Sequence, residues 1–331
     1  MPTTVPSDFE STLDSAKAEL ETPALIVDTE VMDENVQTFV DFAERHDVVL
    51  RSHAKSHKIP ELAHWQHDLT GGGIVCQKLS EAEVMATNGI KDIYLSYIVV
   101  GDRKLDRVCR LSQRLEYFAT TVDGRENTAQ LQQAAARNQT TINVILEVDV
   151  GLNRVGVASG QPAVELASHV HAQPNLQLDG IMGYEGHIGY GNDGATTEEE
   201  YERRCFEAMD ILAETADSIE TEGITVDEVM AGSTATALYT GKHPAVTEIH
   251  PGMYPFNDVR LYRCTPFVSK DDCAVTVLST VISKPTPNRA VVDAGSKTIS
   301  LDIDDTPEPR FRDDISYYKA SEEHGWIDTS N

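Results

Sequence analysis

Residues 47–60 read Asp47-Val48-Val49-Leu50-Arg51-Ser52-His53-Ala54-Lys55-Ser56-His57-Lys58-Ile59-Pro60. Val48 to Leu50 is a short apolar, β-branched run, the pattern of a buried strand. Ile59-Pro60-Glu61 opens a helix with proline in its first turn. Two histidines and two lysines therefore stand at the C-terminal end of a strand. A lysine partly desolvated there, beside other cationic groups, has a lowered pKa and can form a Schiff base with a carbonyl. Taken alone, the spacing fits a solvated basic loop better.

The strand-then-helix unit recurs along the chain. Apolar β-rich runs lie at 24–28, 48–51, 74–77, 93–97, 117–122, 142–150, 178–184 and 228–231. Amphipathic segments at 31–45, 79–88 and 201–219 carry apolar residues at helical spacing, and Gly89 after Asn88 is a helix stop. Eight alternations over roughly 230 residues predict an α/β fold, a (β/α)8 TIM-type barrel. A doubly wound sheet would want a glycine fingerprint after its first strand, and Asp28-Thr29-Glu30 has none. Beyond about Pro255 the texture changes. Runs at 275–282, 290–293 and 299–303 alternate with turn signals and little helix, which predicts a smaller all-β domain. That domain reads as incomplete: Glu323-His324-Gly325-Trp326 runs out into Asp328-Thr329-Ser330-Asn331 with no expected final strand, as in a C-terminally truncated chain. The expected organisation is an N-terminal arm (1–21), a barrel (22–258) and a β-domain (259–331).

Composition narrows the function. The 331 residues are 40% hydrophobic and 24% charged, as in a soluble globular protein. Asp and Glu number 54 against 27 Lys and Arg, a formal net charge of −27. Such a surface repels nucleic acid and anionic membranes, and its even spread along the chain fits a protein kept soluble in high salt. No apolar run is long enough to span a bilayer, and residues 1–21 lack the apolar core of a signal peptide, so a cytoplasmic protein is expected. Five cysteines with no CxxC pairing read as reduced thiols.

Chemistry in such a barrel sits at the C-terminal strand ends. Those positions hold His53, Lys55 and His57; the stretch from Glu147 to Gly156 with Arg154; Gly183-Tyr184-Glu185-Gly186-His187; Gly232-Ser233-Thr234; and Gly252-Met253-Tyr254. Gly232-Ser233-Thr234 can cradle a phosphate, with Gly252-Met253-Tyr254 as a second arm. Arg154 can reach a ring oxygen or nitrogen. Tyr184 can pack on a cofactor ring or act as an acid, and His187 can act as a general base. Each has an ordinary alternative: turn, surface ion pair, core aromatic or structural histidine. Together, a Schiff-base lysine, a phosphate cup and a ring-contacting arginine are what pyridoxal phosphate (PLP) needs.

These stretches resemble the fold-type III PLP enzymes of the D-threonine aldolase/D-serine dehydratase family, relatives of alanine racemase. The matching segments are Thr22-Pro23-Ala24-Leu25, Leu50 to Lys58 (with Ser52 where the family usually has Pro), Cys76-Gln77-Lys78-Leu79-Ser80-Glu81-Ala82-Glu83, and Val99-Val100-Gly101. They continue with Glu147 to Gly156, Gly183 to His187, Gly232-Ser233-Thr234, Pro251-Gly252-Met253-Tyr254 and Glu323-His324-Gly325. The resemblance implies Lys55 rather than Lys58 as the Schiff-base residue, with Lys55, His187 and Tyr184 as the catalytic set. Lys55, His53, Arg154, Tyr184, Gly232, Ser233, Thr234, Gly252, Met253 and Tyr254 would hold PLP. It implies a homodimer acting on D-β-hydroxy amino acids, by aldol cleavage or else by dehydration of D-serine or D-3-hydroxyaspartate; a racemase and a non-catalytic PLP-binding protein are further readings. The family also uses a divalent metal held by a His-x-Cys or His-x-Asp pair beyond the Glu-His-Gly segment. That pair does not occur before Asn331, so no metal ligand is assigned.

Overall fold

A computed structural model describes residues 19–191, 194–301 and 305–330. Most of the expected arm (1–21), part of the strand expected at 299–303 and part of the acidic run at 302–305 lie outside the described residues. The chain divides into two units: Val36–Tyr254, and the described residues up to Asn35 with those from Pro255 onward.

The larger unit is a parallel α/β barrel. Its strands are Val49–Leu50, Ser52–His53, Ile74–Cys76, Asp92–Ile98, Tyr117–Val122, Ile142–Asp149, Leu176–Gly183, Glu228–Ala231 and Glu248–Ile249. Val49 lies opposite Glu248, and Ser52 lies opposite Ile74. Only Arg51 separates the first two strands, so one crossing of the chain pairs on both sides and closes the sheet. Six successive strands each send one side chain into a shared inner layer: Val75, Tyr94, Ala119, Ile145, Met182 and Met230. Burying an aliphatic side chain of this size contributes about 1.5–3 kcal/mol, and strands buried on both faces explain the near-continuous apolar runs. The outer helices follow their sequence signals. Pro60–Thr70 has proline at its start and ends on Gly71 at φ 67°, whose N–H returns to the His67 carbonyl. Glu198–Thr221 is capped by Thr197 and carries Glu198, Glu199 and Glu200 in its first turn, where the helix dipole favours anions.

Two strand assignments are corrected. The run at 24–28 is not in the barrel: Ala24–Val27 pairs antiparallel with Val275–Leu278 in the smaller unit. It alternates half-buried and exposed residues, as a strand in a two-stranded ribbon does. The barrel's last strand is instead Glu248–Ile249, which the sequence pattern hides because Glu248 is charged. Its carboxylate is buried and accepts from Arg51 Nε at 2.8 Å and from His250 Nε2 at 2.6 Å. Arg51 also pairs with Asp92 and lies over the Tyr117 ring at 5.4 Å. Burial works against ionising Glu248, but His250 and Arg51 outweigh it and hold the carboxyl below its ordinary range.

The smaller unit contains a four-stranded antiparallel sheet in the order Val281–Thr286, Arg289–Val292, Gly325–Asp328, Ser316–Ala320. The tail expected to run out without a strand thus supplies an inner strand, paired with Arg289–Val292 on one side and Ser316–Ala320 on the other. Residues 299–301 form no strand. Ala290, Val292, Ala294, Tyr317 and Ile327 make the small core. A cavity of about 700 Å³ in this unit is lined by Val277, Ile299, Ile315 and other apolar residues, and by none of the expected site residues.

Candidate active site

Lys55 occupies a single 3-10 turn, Ala54–Ser56, immediately after Ser52–His53. His53 caps that turn, its Nδ1 accepting from the Lys55 N–H at 3.3 Å. The other His53 nitrogen faces Gln77 Oε1 at 3.1 Å, so the ring is neutral with its proton on Nε2. Burial, and then the nearby Lys55 charge, push the His53 pKa well below its ordinary value. Gln77 is itself fixed by donating to the Ser96 carbonyl at 2.7 Å.

The two lysines of the motif diverge. Lys58 Nζ lies 3.9 Å from Glu81 Oε2. Lys55 Nζ stands 5.7 Å from the centre of the Tyr184 ring, and the Arg154 guanidinium lies over the same ring at 4.8 Å. Burial and the Arg154 charge lower the Lys55 pKa, with Glu81 opposing. Lys55 is thus the lysine set up to hold a free amine. The Tyr184 hydroxyl is raised by burial and by Glu185, which keeps it protonated.

Arg154 is presented by the loop after Ile142–Asp149. Asp149 accepts from the Gly151 and Asn153 N–H groups at 2.9 and 3.0 Å, and Asp123 accepts from Gly156 at 3.2 Å. Gly151 has φ 127°, and a Cβ there would sit 2.8 Å from His187 Nε2. The imidazole of His187 therefore packs on that glycine, exposed at the strand ends. Glu147 on the same strand is buried; burial and then Asp123 and Asp149, against Arg154, leave its carboxyl pushed up to about 7.

The expected phosphate segments meet through one hydroxyl. Thr234 Oγ1 accepts from the Gly252 N–H at 3.0 Å and from the Met253 N–H at 2.8 Å. The Gly252 carbonyl accepts from Ser56 Oγ at 2.6 Å, and the Pro251 carbonyl from the His53 N–H at 2.9 Å. Beneath the turn, Glu185 is wholly buried and accepts from the Gly232 N–H (3.3 Å) and from the Thr236 and Thr240 hydroxyls (2.6 and 2.8 Å). Gly232 needs its freedom: φ is 87°, and an added Cβ would press on Ala237 and Ile249 at 3.3 Å. The Ser233 N–H and hydroxyl turn inward to Thr236 at 2.9 and 3.0 Å. Among the described residues, the N–H groups of Thr234, Ala235 and Tyr254 meet no acceptor. The Tyr254 ring is buried and its hydroxyl is engaged by Ser52 and Gln66, so only its backbone faces the cup.

Lys55 and Arg154 thus both lie at the Tyr184 ring, and His53, Gly252, Met253 and Thr234 connect to the lysine turn by hydrogen bonds. Sequence reasoning gave no role to Gln77, Glu81, Glu185, Ser52 or Gln66. Gln66 and Glu81 lie in helices and Ser52 within the lysine motif, and only Gln77 and Glu185, standing at strand ends, carried a signal. Among the described residues no group of three or more His, Cys, Asp or Glu side chains could hold a metal ion.

Barrel, lysine turn and anion cup together define a cofactor enzyme of the alanine-racemase type, and comparison with known proteins gives the family. The profile described as "Alanine racemase, N-terminal domain" matches residues 27–258, and "Putative serine dehydratase domain" matches 274–331. The chain is 33% identical over 319 residues to a 3-hydroxy-D-aspartate aldolase of Paracoccus denitrificans, covering 94% of this chain and 81% of that one. It is 34% identical over 315 residues to a D-threonine aldolase of Arthrobacter, covering 94% and 80%. The crystal structure of a D-threonine aldolase from Filomicrobium marinum superposes with a TM-score of 0.88 at 34% identity, covering 95% and 83%. Dehydratases are further relatives. The chain belongs to this family of PLP-dependent lyases, the D-threonine aldolases and D-serine dehydratases built on the alanine-racemase fold. The residues present fit PLP: one amine of lowered pKa for its aldehyde, and backbone donors without acceptors for its phosphate.

Proposed function

We propose that this chain is a D-threonine aldolase-like enzyme, cleaving the Cα–Cβ bond of D-β-hydroxy amino acids to glycine and an aldehyde. The observation that carries the reading is that Lys55 and Arg154 both stand at the Tyr184 ring: burial first, and then the Arg154 charge, favour the free amine of Lys55. Bound to Lys55, PLP supplies an electron sink for the pair released when a bond to Cα breaks. The unpaired N–H groups of Thr234, Ala235 and Tyr254, with the Thr234 hydroxyl, hold its phosphate, and Arg154 is the cation for a ring oxygen or nitrogen. His187 takes the proton of the substrate β-hydroxyl, and Tyr184 stays protonated as a donor. In the dehydratase alternative, Lys55 takes the Cα proton instead, and the same residues serve. The described residues supply no metal centre, and no step is assigned to one. The reading includes a cytoplasmic homodimer, supported by five free cysteines and by the family resemblance.

Purified protein is incubated with PLP, then with D-threonine, with and without Mn²⁺, and acetaldehyde and 2-oxobutanoate are followed together. Acetaldehyde release, with a cofactor absorbance band that Lys55→Ala abolishes, supports the aldolase; 2-oxobutanoate overturns it in favour of the dehydratase. Cofactor binding with neither product refutes both.

A further inference from the structure

Tyr254 is the point where the lysine turn and the phosphate arm are tied inside the barrel wall. Ile59 N–H donates to His57 Nδ1 at 3.0 Å, and His57 Nε2 faces Gln66 Oε1 at 3.0 Å. Gln66 Nε2 donates to the Tyr254 hydroxyl at 3.2 Å, which lies 2.6 Å from Ser52 Oγ. The direction of the chain from His57 to Tyr254 is set by its chemistry. An imidazole that accepts at Nδ1 and faces an amide oxygen at Nε2 is neutral, with its proton on Nε2; burial, which lowers the His57 pKa, favours that state. Tyr254 accepts from Gln66 and shares a hydrogen bond with the Ser52 hydroxyl. Ser52, Gln66 and Tyr254 are 0–1% exposed, so water cannot replace a lost member.

We propose that Ser52, Gln66 and His57 are positioning residues that lock the phosphate arm, residues 251–254, to the lysine turn through Tyr254. The arm's other tethers (His53 N–H to Pro251, Ser56 to Gly252, Gly252 and Met253 to Thr234) stop at Met253. Tyr254 carries the one N–H of the arm's last three residues that meets no acceptor among the described residues, and the buried chain fixes where it points. The lock therefore sets the distance between the phosphate and the Lys55 amine. This inference rests on the PLP reading.

The test compares PLP with pyridoxal, which lacks the phosphate. Cofactor-free wild type, Ser52→Ala, Gln66→Leu and Tyr254→Phe are titrated with each, following the absorbance of bound cofactor, and the thermal midpoint of each cofactor-free variant is measured. PLP affinity is expected to fall about tenfold, the size of loss seen at the lower end when groups that orient metal ligands are removed, with pyridoxal affinity unchanged. The Ser52→Ala/Gln66→Leu double variant is expected to lose no more than the worse single one, since both act through Tyr254. Equal losses for both compounds, or no loss for PLP, overturn the proposal. Should Tyr254→Phe not fold, the Ser52→Ala comparison decides alone. A wild type that takes up pyridoxal and PLP equally well overturns the phosphate cup itself; one that takes up neither overturns the cofactor reading.

Discussion

Lys55 is governed by two charges of opposite sign. Arg154, which lies over the Tyr184 ring, lowers the ammonium pKa beyond what burial does; Glu81 raises it. The signs give paired outcomes. Arg154→Met removes a neighbouring cation, so the Lys55 pKa rises toward the ordinary lysine value and less free amine is present at neutral pH. Glu81→Gln removes an anion, so the pKa falls. Competitive acetylation of the cofactor-free protein across pH, with the Lys55 peptide followed by mass spectrometry, reads this without catalysis. Shifts of the same sign in both variants would refute the assignment. Lys55 was legible in the sequence because its cluster ends a strand, but Glu81 was not. Its effect depends on burial: Oε1 accepts from the Gln77 N–H at 3.3 Å, Oε2 is buried without a hydrogen bond, and no spacing rule announces either.

At the scale of elements, Arg51 decides whether the barrel closes. It interrupts the strand that pairs with Glu248–Ile249 on one side and Ile74–Cys76 on the other. Its guanidinium neutralises Glu248, 2% exposed, within the barrel. Removing one partner of a buried pair costs about 3–5 kcal/mol because the other charge is left uncompensated. Arg51→Met is therefore expected to lose about that much stability in urea unfolding, and Arg51→Met/Glu248→Met to recover a large part. If the double variant is as unstable as the single, the charge argument fails. The same pair shows where element reading stops. Strands made of apolar runs, such as Ile142–Asp149, were plain. Glu248–Ile249 was not, because its charge is satisfied by a residue 197 positions away. Ala24–Val27 was misplaced for the converse reason: its residues suit any half-buried strand, and the partner that fixes its sheet, Val275–Leu278, lies some 250 residues downstream. The anion cup fell between these cases. Its Gly-Ser-Thr turn was visible, but Glu185, which accepts from the Gly232 N–H, follows a different strand, Leu176–Gly183.

Over the whole molecule, the governing quantity is the net charge of −27. Paired one to one, as Arg107 with Glu83 or Lys242 with Glu202, the basic residues can serve only half of the acidic groups, because Asp and Glu outnumber Lys and Arg two to one. The remaining carboxylates repel one another, and folding brings them closer than the unfolded chain does. Screening relieves that repulsion: the Debye length falls from about 10 Å at 0.1 M salt to about 3 Å at 1 M. The thermal midpoint is accordingly expected to rise with KCl across this range. Charge reversal on the exposed surface away from a helix end, for example Glu214→Lys, works against the same repulsion and should flatten the slope. A midpoint that stays flat or falls as KCl is added would mean that the acidic surface is not what limits this fold.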